Sequence, residues 1–438
     1  MKQIAENQIN LINKVKNYLN NNFRNLNLES SGLTYFAAFG QNTSFGLMKY
    51  WTERKIGYFI KLFLKEVYAL IIFHQYKIIT LTNDRRSYKK LIITWGSNKN
   101  FDKNGIYHDN YFNTNSSVMD DTLWFVIFSG SNFDIKLNSN IIVFIKANKI
   151  NYIKNIYVLI KSLFFNSFSF NKLINLISWQ SFYANNLLEK FKLIKLRDLE
   201  SVLLPYEGQP FQTSIINYLK NSKKLKINGF IHSYPSIPTN LVKRKISPDN
   251  LIVASDDQKY CLSRFFGWRE ENIYLRESSR FINDDKKNMN NKIYLPINFT
   301  SAKKILDLID ILFQKLKYIN YNELIIQNHP VCKNSKKHIY LSDKLSEKIK
   351  NMKKKNNFKY KEKISIFIGS TGSIVEALDN DIKVYHICED MVMESYNKIM
   401  WPSINFENIS NNIIKYEKNT DDRLIKIGSK KTVFSYFN

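Results

Sequence analysis

Cysteine is nearly missing from these 438 residues: Cys261, Cys332 and Cys388 stand far apart, with no Cys-x-x-Cys pair and no histidine cluster at metal-ligand spacing. That excludes a disulfide-stapled scaffold and any zinc site legible in sequence, and makes a reducing cytoplasm the expected compartment. Glycine, at 13, and proline, at 8, are too few for a fibrous or low-complexity chain. Long apolar runs are lacking as well. Val67–Phe73 is too short to span a bilayer, and 141–165 is broken by Lys146, Lys149, Lys154 and Lys161, so no membrane-spanning helix is expected. The opening MKQIAENQINLINKVKN has no unbroken apolar stretch behind its first lysine and does not read as a secretory signal. Acidic residues are scarce against basic ones, 38 Asp+Glu to 65 Lys+Arg, which leaves a net charge of +27.

Such a field attracts phosphates, nucleic acids, anionic lipids and anionic sugars. The excess sits in lysine and comes with abundant asparagine and isoleucine, residues that an AT-rich coding sequence over-uses. Charge is therefore informative only where it clusters beside chemistry. Nucleic acid is not an expected partner, because no RNP, KH, zinc-finger or helix-turn-helix pattern is present and the aromatics are not interleaved with the lysines. What is plentiful is core-forming material. A chain about three times the usual domain length, 44% hydrophobic and 14% aromatic, predicts two domains, or one large bilobal unit, with ample core.

Residues 1–30 read as a polar helix, and no solenoid repeat follows. From there to about residue 235, short apolar runs alternate with longer amphipathic ones. LIITW (91–95), LWFVIF (123–128) and IIVFI (141–145) are strand candidates, 181–194 has helical spacing, and 199–204 is a further strand. Pro235, Pro238 and Pro248 punctuate 233–250, the expected linker. Beyond it the alternation resumes with NLIVA (250–254), whose Ser255 and Asp256 are placed to cap a helix. KIYLP (292–296), a helix over 301–316, ELIIQ (323–327), ISIFI (364–368) and KVYHI (383–387) complete the pattern. The reading is α/β: an N-terminal domain over 1–235, a linker over 236–249, a C-terminal domain over 250–415, a tail over 416–438, and a cleft between two lobes.

Three segments carry candidate chemistry. Gly369-Ser370-Thr371-Gly372-Ser373 joins a strand to a helix, and its backbone N–H groups and hydroxyls suit a phosphate. It lacks the lysine of a Walker A loop and the spacing of GxGxxG, and a well-capped helix is the competing explanation. His329-Pro330 follows a strand; proline keeps His329 out of the α region, at the carboxyl edge of a sheet where α/β folds bind ligands. Local backbone bonding is its plain alternative. Tyr206-Glu207-Gly208-Gln209 sets one carboxylate at a sheet edge, where burial would raise its pKa and suit it to general-base work; a simple turn acid explains it equally. His232 ends the next strand on the same rim. His338, in a lysine run, reads as solvated surface, His386 as core, and His74 and His108 have no evident partner. The basic run Lys333–Lys363 reads as a solvated face beside His329, compatible with an anionic membrane surface or acceptor.

An acid-Gly turn, a His-Pro after a strand and a Ser-Thr before a helix, in that order, resemble the motifs of bacterial sialyltransferases, polysialyltransferases and related Kdo transferases of the two-lobed glycosyltransferase-B type. Those enzymes carry acid-acid-Gly, HP and SS/ST motifs, matched here by Tyr206-Glu207-Gly208, His329-Pro330 and Ser370-Thr371. A broader similarity to surface-carbohydrate biosynthesis proteins runs through LIITWGS (91–97), HDNYFN (108–113), LPYEGQPF (204–211) and 248–268. The resemblance implies two Rossmann-like lobes facing a central cleft. It implies metal-independent, inverting transfer of an acidic sugar from a CMP-activated donor to a glycan or lipid-linked glycan acceptor in capsule or lipopolysaccharide synthesis. The nucleotide sugar is then a substrate and no cofactor is expected. Glu207 would be the base, His329 a contact to the donor phosphate, and Ser370 and Thr371, with Ser373 behind them, its binding groups. Gly208, Gln209 and His232 would line the cleft; Glu376 would meet the ribose hydroxyls, with the helix dipole as its plain alternative, and Arg280 would lie near the donor, with solvated salt-bridge surface as its own. Tyr206 stands where the family has its first acid. A UDP-sugar or CDP-glycerol donor on the same architecture, and a non-catalytic basic membrane-surface protein, are the alternatives.

Overall fold

The computed structural model describes residues 2–22, 64, 67–80, 87–119, 121–130, 132–165, 179–194, 196–222, 224–280, 289–297, 299–316, 321–329, 332, 334–355, 363–429 and 431–437. The chain begins with α1 (Lys2–Asn22). It continues through β1 (Tyr76–Ile79), β2 (Lys90–Gly96), a short hairpin of β3 (His108–Asp109) and β4 (Thr114–Asn115), then β5 (Thr122–Phe128) and β6 (Ile141–Lys146). Two helices, α2 (Tyr152–Phe165) and α3 (Trp179–Phe191), precede β7 (Ser201–Pro205), α4 (Pro210–Ser222) and β8 (Lys226–Phe230). Next come β9 (Asn250–Val253), α5 (Asp256–Phe265) and β10 (Ile273–Leu275). The remainder is β11 (Lys292–Tyr294), α6 (Ala302–Lys315), β12 (Ile325–Gln327), α7 (Lys336–Lys355), β13 (Ile364–Ile368), α8 (Ser373–Asp379) and β14 (Lys383–Ile387). It closes with α9 (Met391–Glu394), β15 (Ile404–Ser410) and β16 (Ile413–Lys418).

These elements build two sheets. The first has the order β1-β6-β5-β2-β7-β8-β9-β10, parallel except for the antiparallel edge pair β1·β6. The second has the order β12-β11-β13-β14-β16-β15, parallel from β12 to β14. Central strands are unbroken apolar runs because both faces are covered: every residue of β5, β7 and β13 is buried. The α/β expectation and the main strands hold.

Each parallel sheet has a place where successive connections leave in opposite directions, and ligands of α/β folds bind outside the carboxyl ends of the strands there. In the first sheet that place lies between β2 and β7, since the chain steps outward from β2 to β5 and β6 and then returns to β2's other side as β7. In the second it lies between β11 and β13, because β12 flanks β11 on the far side. Glu207 follows β7 and the Gly369–Ser373 loop follows β13. Topology alone therefore puts both candidate segments at switch points.

The domain boundaries need correction. β9 and β10, expected to open the C-terminal domain, extend the first sheet, with Asn250 registered against Asn228 and Ile273 against Leu251. The segment 236–249 is thus a loop between parallel neighbours, not an interdomain linker, and 234–242 is buried throughout. Proline marks irregular backbone; it does not say whether that backbone is solvated. Trp401 Nε1 donates to Ser236 O at 3.0 Å and the Trp268 indole to Leu241 O at 2.7 Å, which gives two of the loop's carbonyls partners away from water.

The expected tail also divides. β16 completes the second sheet to Lys418, after which the chain returns to the first sheet. Asn228 Nδ2 donates to Tyr436 O at 2.6 Å, the Phe230 and Tyr436 rings stack at 5.1 Å, and Ser278 bridges Ile427. In the opposite sense, α1 packs on the second lobe, where Gln8 Nε2 donates to Val392 O at 3.0 Å and Ser395 O at 2.8 Å. One apolar cluster joins the lobes, running from Tyr234, Ile237 and Leu241 to Phe367, Ile374 and Trp401.

Candidate functional site

The backbone that carries Glu207 is pinned from three sides. Gly208 has φ of +66°, and a Cβ there would lie 2.1 Å from Asn240 O, so glycine is required by both conformation and space. Gln212, in the first turn of α4, accepts from Glu207 N at 3.0 Å and Gln209 N at 3.1 Å and donates to Pro205 O at 2.7 Å. Asn240 Nδ2 donates to Glu207 O. Tyr206, on the alternate side of the chain, is fully buried in the main core. The residue that departs from the acid-acid-Gly pattern therefore serves packing.

Two side chains grip the carboxylate. His232 Nε2 lies 3.1 Å from Glu207 Oε1, and Gln209 Nε2 donates to Oε2 at 2.6 Å. The Glu207 side chain is 17% exposed. Burial works to raise its pKa, but the bond and charge of His232, the Gln209 amide and the Arg280 charge outweigh it and hold the carboxyl below its ordinary range. The expectation of a raised pKa is thus corrected: a desolvated acid stays ionised when its neighbours solvate the anion. His232 Nδ1, buried, meets no hydrogen-bond partner among the described residues.

Around this pair stand residues of LIITWGS and HDNYFN, segments to which the sequence assigned no chemical role, and Arg280. The Tyr111 ring meets the His232 ring edge-on at 4.7 Å and leans on Trp95 at 5.5 Å. Asp109 aims it: its Oδ1 accepts from Tyr111 N at 2.8 Å and Phe112 N at 2.7 Å, and its Oδ2 from Thr94 Oγ1 at 2.5 Å and Tyr107 Oη at 3.0 Å. Burial pushes the Tyr111 phenol up, Glu207's charge adds to that, and Arg280 opposes it. Arg280, exposed as a residue, donates from Nη1 to His232 O at 2.6 Å.

The second lobe meets this cluster through Tyr234. Gly372 packs so closely that a Cβ would lie 2.9 Å from Tyr234 N, and the Tyr396 hydroxyl reaches both Tyr234 O and Thr371 O. Tyr234's phenol is raised by burial and then by the charge of Glu376, while Arg280 pulls the other way. Gly369, at φ of +70°, turns the chain out of β13 under Pro296, and its O accepts from His386 Nε2 at 2.8 Å. Ser370, Thr371 and Ser373 are each partly exposed, and Ser373 N donates to Thr371 Oγ1 at 3.3 Å.

His329 stands further along the second sheet, after β12, half-buried; burial and then the nearby His338 lower its pKa. Pro330 lies outside the described residues. His338 is a correction: it is buried, its Nδ1 2.9 Å from Ser335 Oγ and its Nε2 2.9 Å from Pro296 O. Since Pro296 also covers Gly369, His338 ties the edge that bears His329 to the loop. His74, expected without a partner, has Nδ1 2.9 Å from Ala147 O. Direct contacts thus unite Glu207, Gln209, His232 and Arg280; the loop adjoins them across Tyr234, and His329 is the outlying member.

Among the described residues one group could be considered for a metal, the buried His386, Cys388 and Glu394. Cys388 Sγ lies 3.4 and 3.8 Å from the two imidazole nitrogens, over the ring and off the Nδ1 lone pair, while Nε2 is taken by Gly369 O. Burial pushes the thiol well up, the imidazole down to about 4, and, with Glu389 and Asp390 adding, the Glu394 carboxyl up to about 8. The three form a buried, packed cluster under the loop.

No protein-family model matches the sequence, and no curated protein matches it. Among solved structures, an α,α-trehalose 6-phosphate synthase from Burkholderia multivorans is similar over 64% of this chain and 76% of its own, at 10% identity and a TM-score of 0.33. A likeness that slight carries no argument about fold or activity.

Proposed function

We propose that this protein is a glycosyltransferase of the glycosyltransferase-B kind, which moves an acidic sugar of the sialic acid or Kdo type from a CMP-activated donor to a glycan hydroxyl in surface-polysaccharide synthesis. One observation supports this reading above the others: a fixed carboxylate at the switch point of the first sheet and a hydroxyl-bearing, amide-bearing loop at the switch point of the second adjoin across Tyr234, with Arg280 bonded to His232 O on the carboxylate's side. Group transfer between a hydroxyl and a phosphate ester needs that pairing of a proton acceptor with an anion cradle.

In this mechanism the acceptor hydroxyl gives its proton to Glu207. Its oxygen bonds to the anomeric carbon as the bond from that carbon to the phosphate oxygen breaks, and the electron pair leaves with CMP. A single displacement inverts the centre. A carboxylate held low is a weak base, and a weak base suffices when the leaving bond is far broken, because a hydroxyl grows acidic as it adds to an electron-poor carbon. Arg280 and the N–H and hydroxyl groups of Ser370, Thr371 and Ser373 meet the charge that arrives on the phosphate, with His329 adding a donor and Glu376 taking the ribose hydroxyls.

Purified full-length protein incubated with CMP-, UDP- and CDP-activated donors, with and without glycan, tests the reading by nucleotide release. Release of CMP, reduced about 10²–10⁴-fold in Glu207→Gln, is expected for loss of a general base. Release from UDP-sugars alone overturns the donor assignment, and full activity in Glu207→Gln overturns the base.

A further inference from the structure

We infer that the outer face of α2, with residues 67–72 beside it, lies on an anionic phospholipid bilayer. An ordinary surface helix turns its apolar stripe inward. Here the arrangement is reversed: among the described side chains of α2, only Asn155 is buried, while Tyr152, Ile153, Ile156, Tyr157 and Ile160 are exposed, Ile153 at 84% and Tyr157 at 62%. At 100° per residue those five occupy a sector of about 140°. Asn155 Nδ2, on the opposite side, donates to Ile71 O at 3.2 Å and Phe73 O at 2.8 Å. That clasp sets the exposed Tyr68 and Ile72 next to α2, so the apolar surface spans two elements.

Charge chooses the occupant. Residues 135–188 contain Lys136, Lys146, Lys149, Lys154, Lys161 and Lys172 and neither Asp nor Glu. Lys154, on α2 itself, and Lys146 and Lys149, at the end of β6 and in the turn that leads into α2, are exposed, and Glu189 lies 3.7 Å from Lys154. A second copy docking here by two-fold symmetry would set lysines against lysines. Nucleic acid would leave the isoleucines unsatisfied. An anionic bilayer takes both features, tyrosine and isoleucine entering the headgroup boundary while lysines pair with lipid phosphates. The α7 lysines are a poorer match, since Lys344 pairs with Glu347 at 2.9 Å and Lys348 with Asp310 at 2.5 Å. The inference is independent of the transferase reading.

Cosedimentation of the full-length protein with vesicles tests it, comparing pure phosphatidylcholine with vesicles about one-third phosphatidylglycerol. Binding to the anionic vesicles alone is expected, weakened severalfold by high salt. Ile153→Asp/Tyr157→Asp is expected to lower the partition coefficient about tenfold or more, with circular dichroism and thermal midpoint unchanged because both residues are exposed. Lys149→Gln/Lys154→Gln should lose the salt-sensitive part. No binding by the wild type, equal binding by both variants, or loss of binding only on neutralising the α7 lysines overturns the inference. So does light scattering in which the aspartate variant converts a dimer to a monomer, which would assign the face to a second copy.

Discussion

Glu207 shows how much a neighbour decides at a buried acid. Burial and partners act in opposite directions on its pKa, and the partners prevail. His232→Ala removes the largest of them and leaves the desolvation, so the Glu207 pKa should rise. The acid limb of the kcat/KM profile is expected to move to higher pH, while His232→Gln, which keeps a donor, should restore part of the shift. A limb that stays in place in His232→Ala would rule out His232 as the group that holds the anion. Glu394 presents the converse case. Its folded pKa, about 8, lies above that of an unfolded glutamate, so the folded state binds more protons between the two values and stability falls as pH rises through that window. Glu394→Gln, which retains an acceptor for Glu389 N–H, should flatten that decline in thermal midpoint between about pH 5 and 8. The motif around Glu207 was legible in sequence. The sign of its pKa shift was not, because His232 approaches from a different strand.

At the scale of elements, the turn after β7 is the most exacting piece of backbone in the site. Gly208→Ala asks a residue with a Cβ to hold φ of +66° with that atom inside Asn240 O, so the turn must move and carry Glu207 with it. The expected cost is about 1–3 kcal/mol, read as a lowered thermal midpoint, together with loss of transfer activity. Gln212→Ala leaves Glu207 N–H, Gln209 N–H and Pro205 O without their partner, and a loss of about 1–3 kcal/mol is expected in urea titrations. Strands were readable because parallel pairing with covered faces demands unbroken apolar runs, as in LWFVIF and ISIFI. The linker was misread for a matching reason: 236–249 has the prolines of a solvated connector, yet Trp401, from 165 residues further along the chain, buries it.

Across the whole molecule the lobes share their ends. α1 docks on the second lobe, the last residues return to the first, and one apolar cluster runs through both. Calorimetry should therefore show one cooperative transition; two resolved transitions would mean that the shared core does not couple the lobes. Truncation after residue 422 uncovers Phe230, leaves Asn228 Nδ2 unpaired and removes the Leu424 N–H that Asp379 accepts, so the midpoint should fall for the entire protein and not for one lobe alone.

The sequence by itself determined the α/β class, the positions of the main strands and the segments that could bear chemistry, because local pattern follows from side-chain periodicity and turn chemistry. Only the tertiary structure decided which sheet each strand joins, that His232 and Arg280 close on Glu207, that Tyr206 faces the core and that His338 is buried. Those outcomes depend on contacts between residues far apart in the chain, and the free energy of such contacts is set by packing and desolvation that no local pattern encodes.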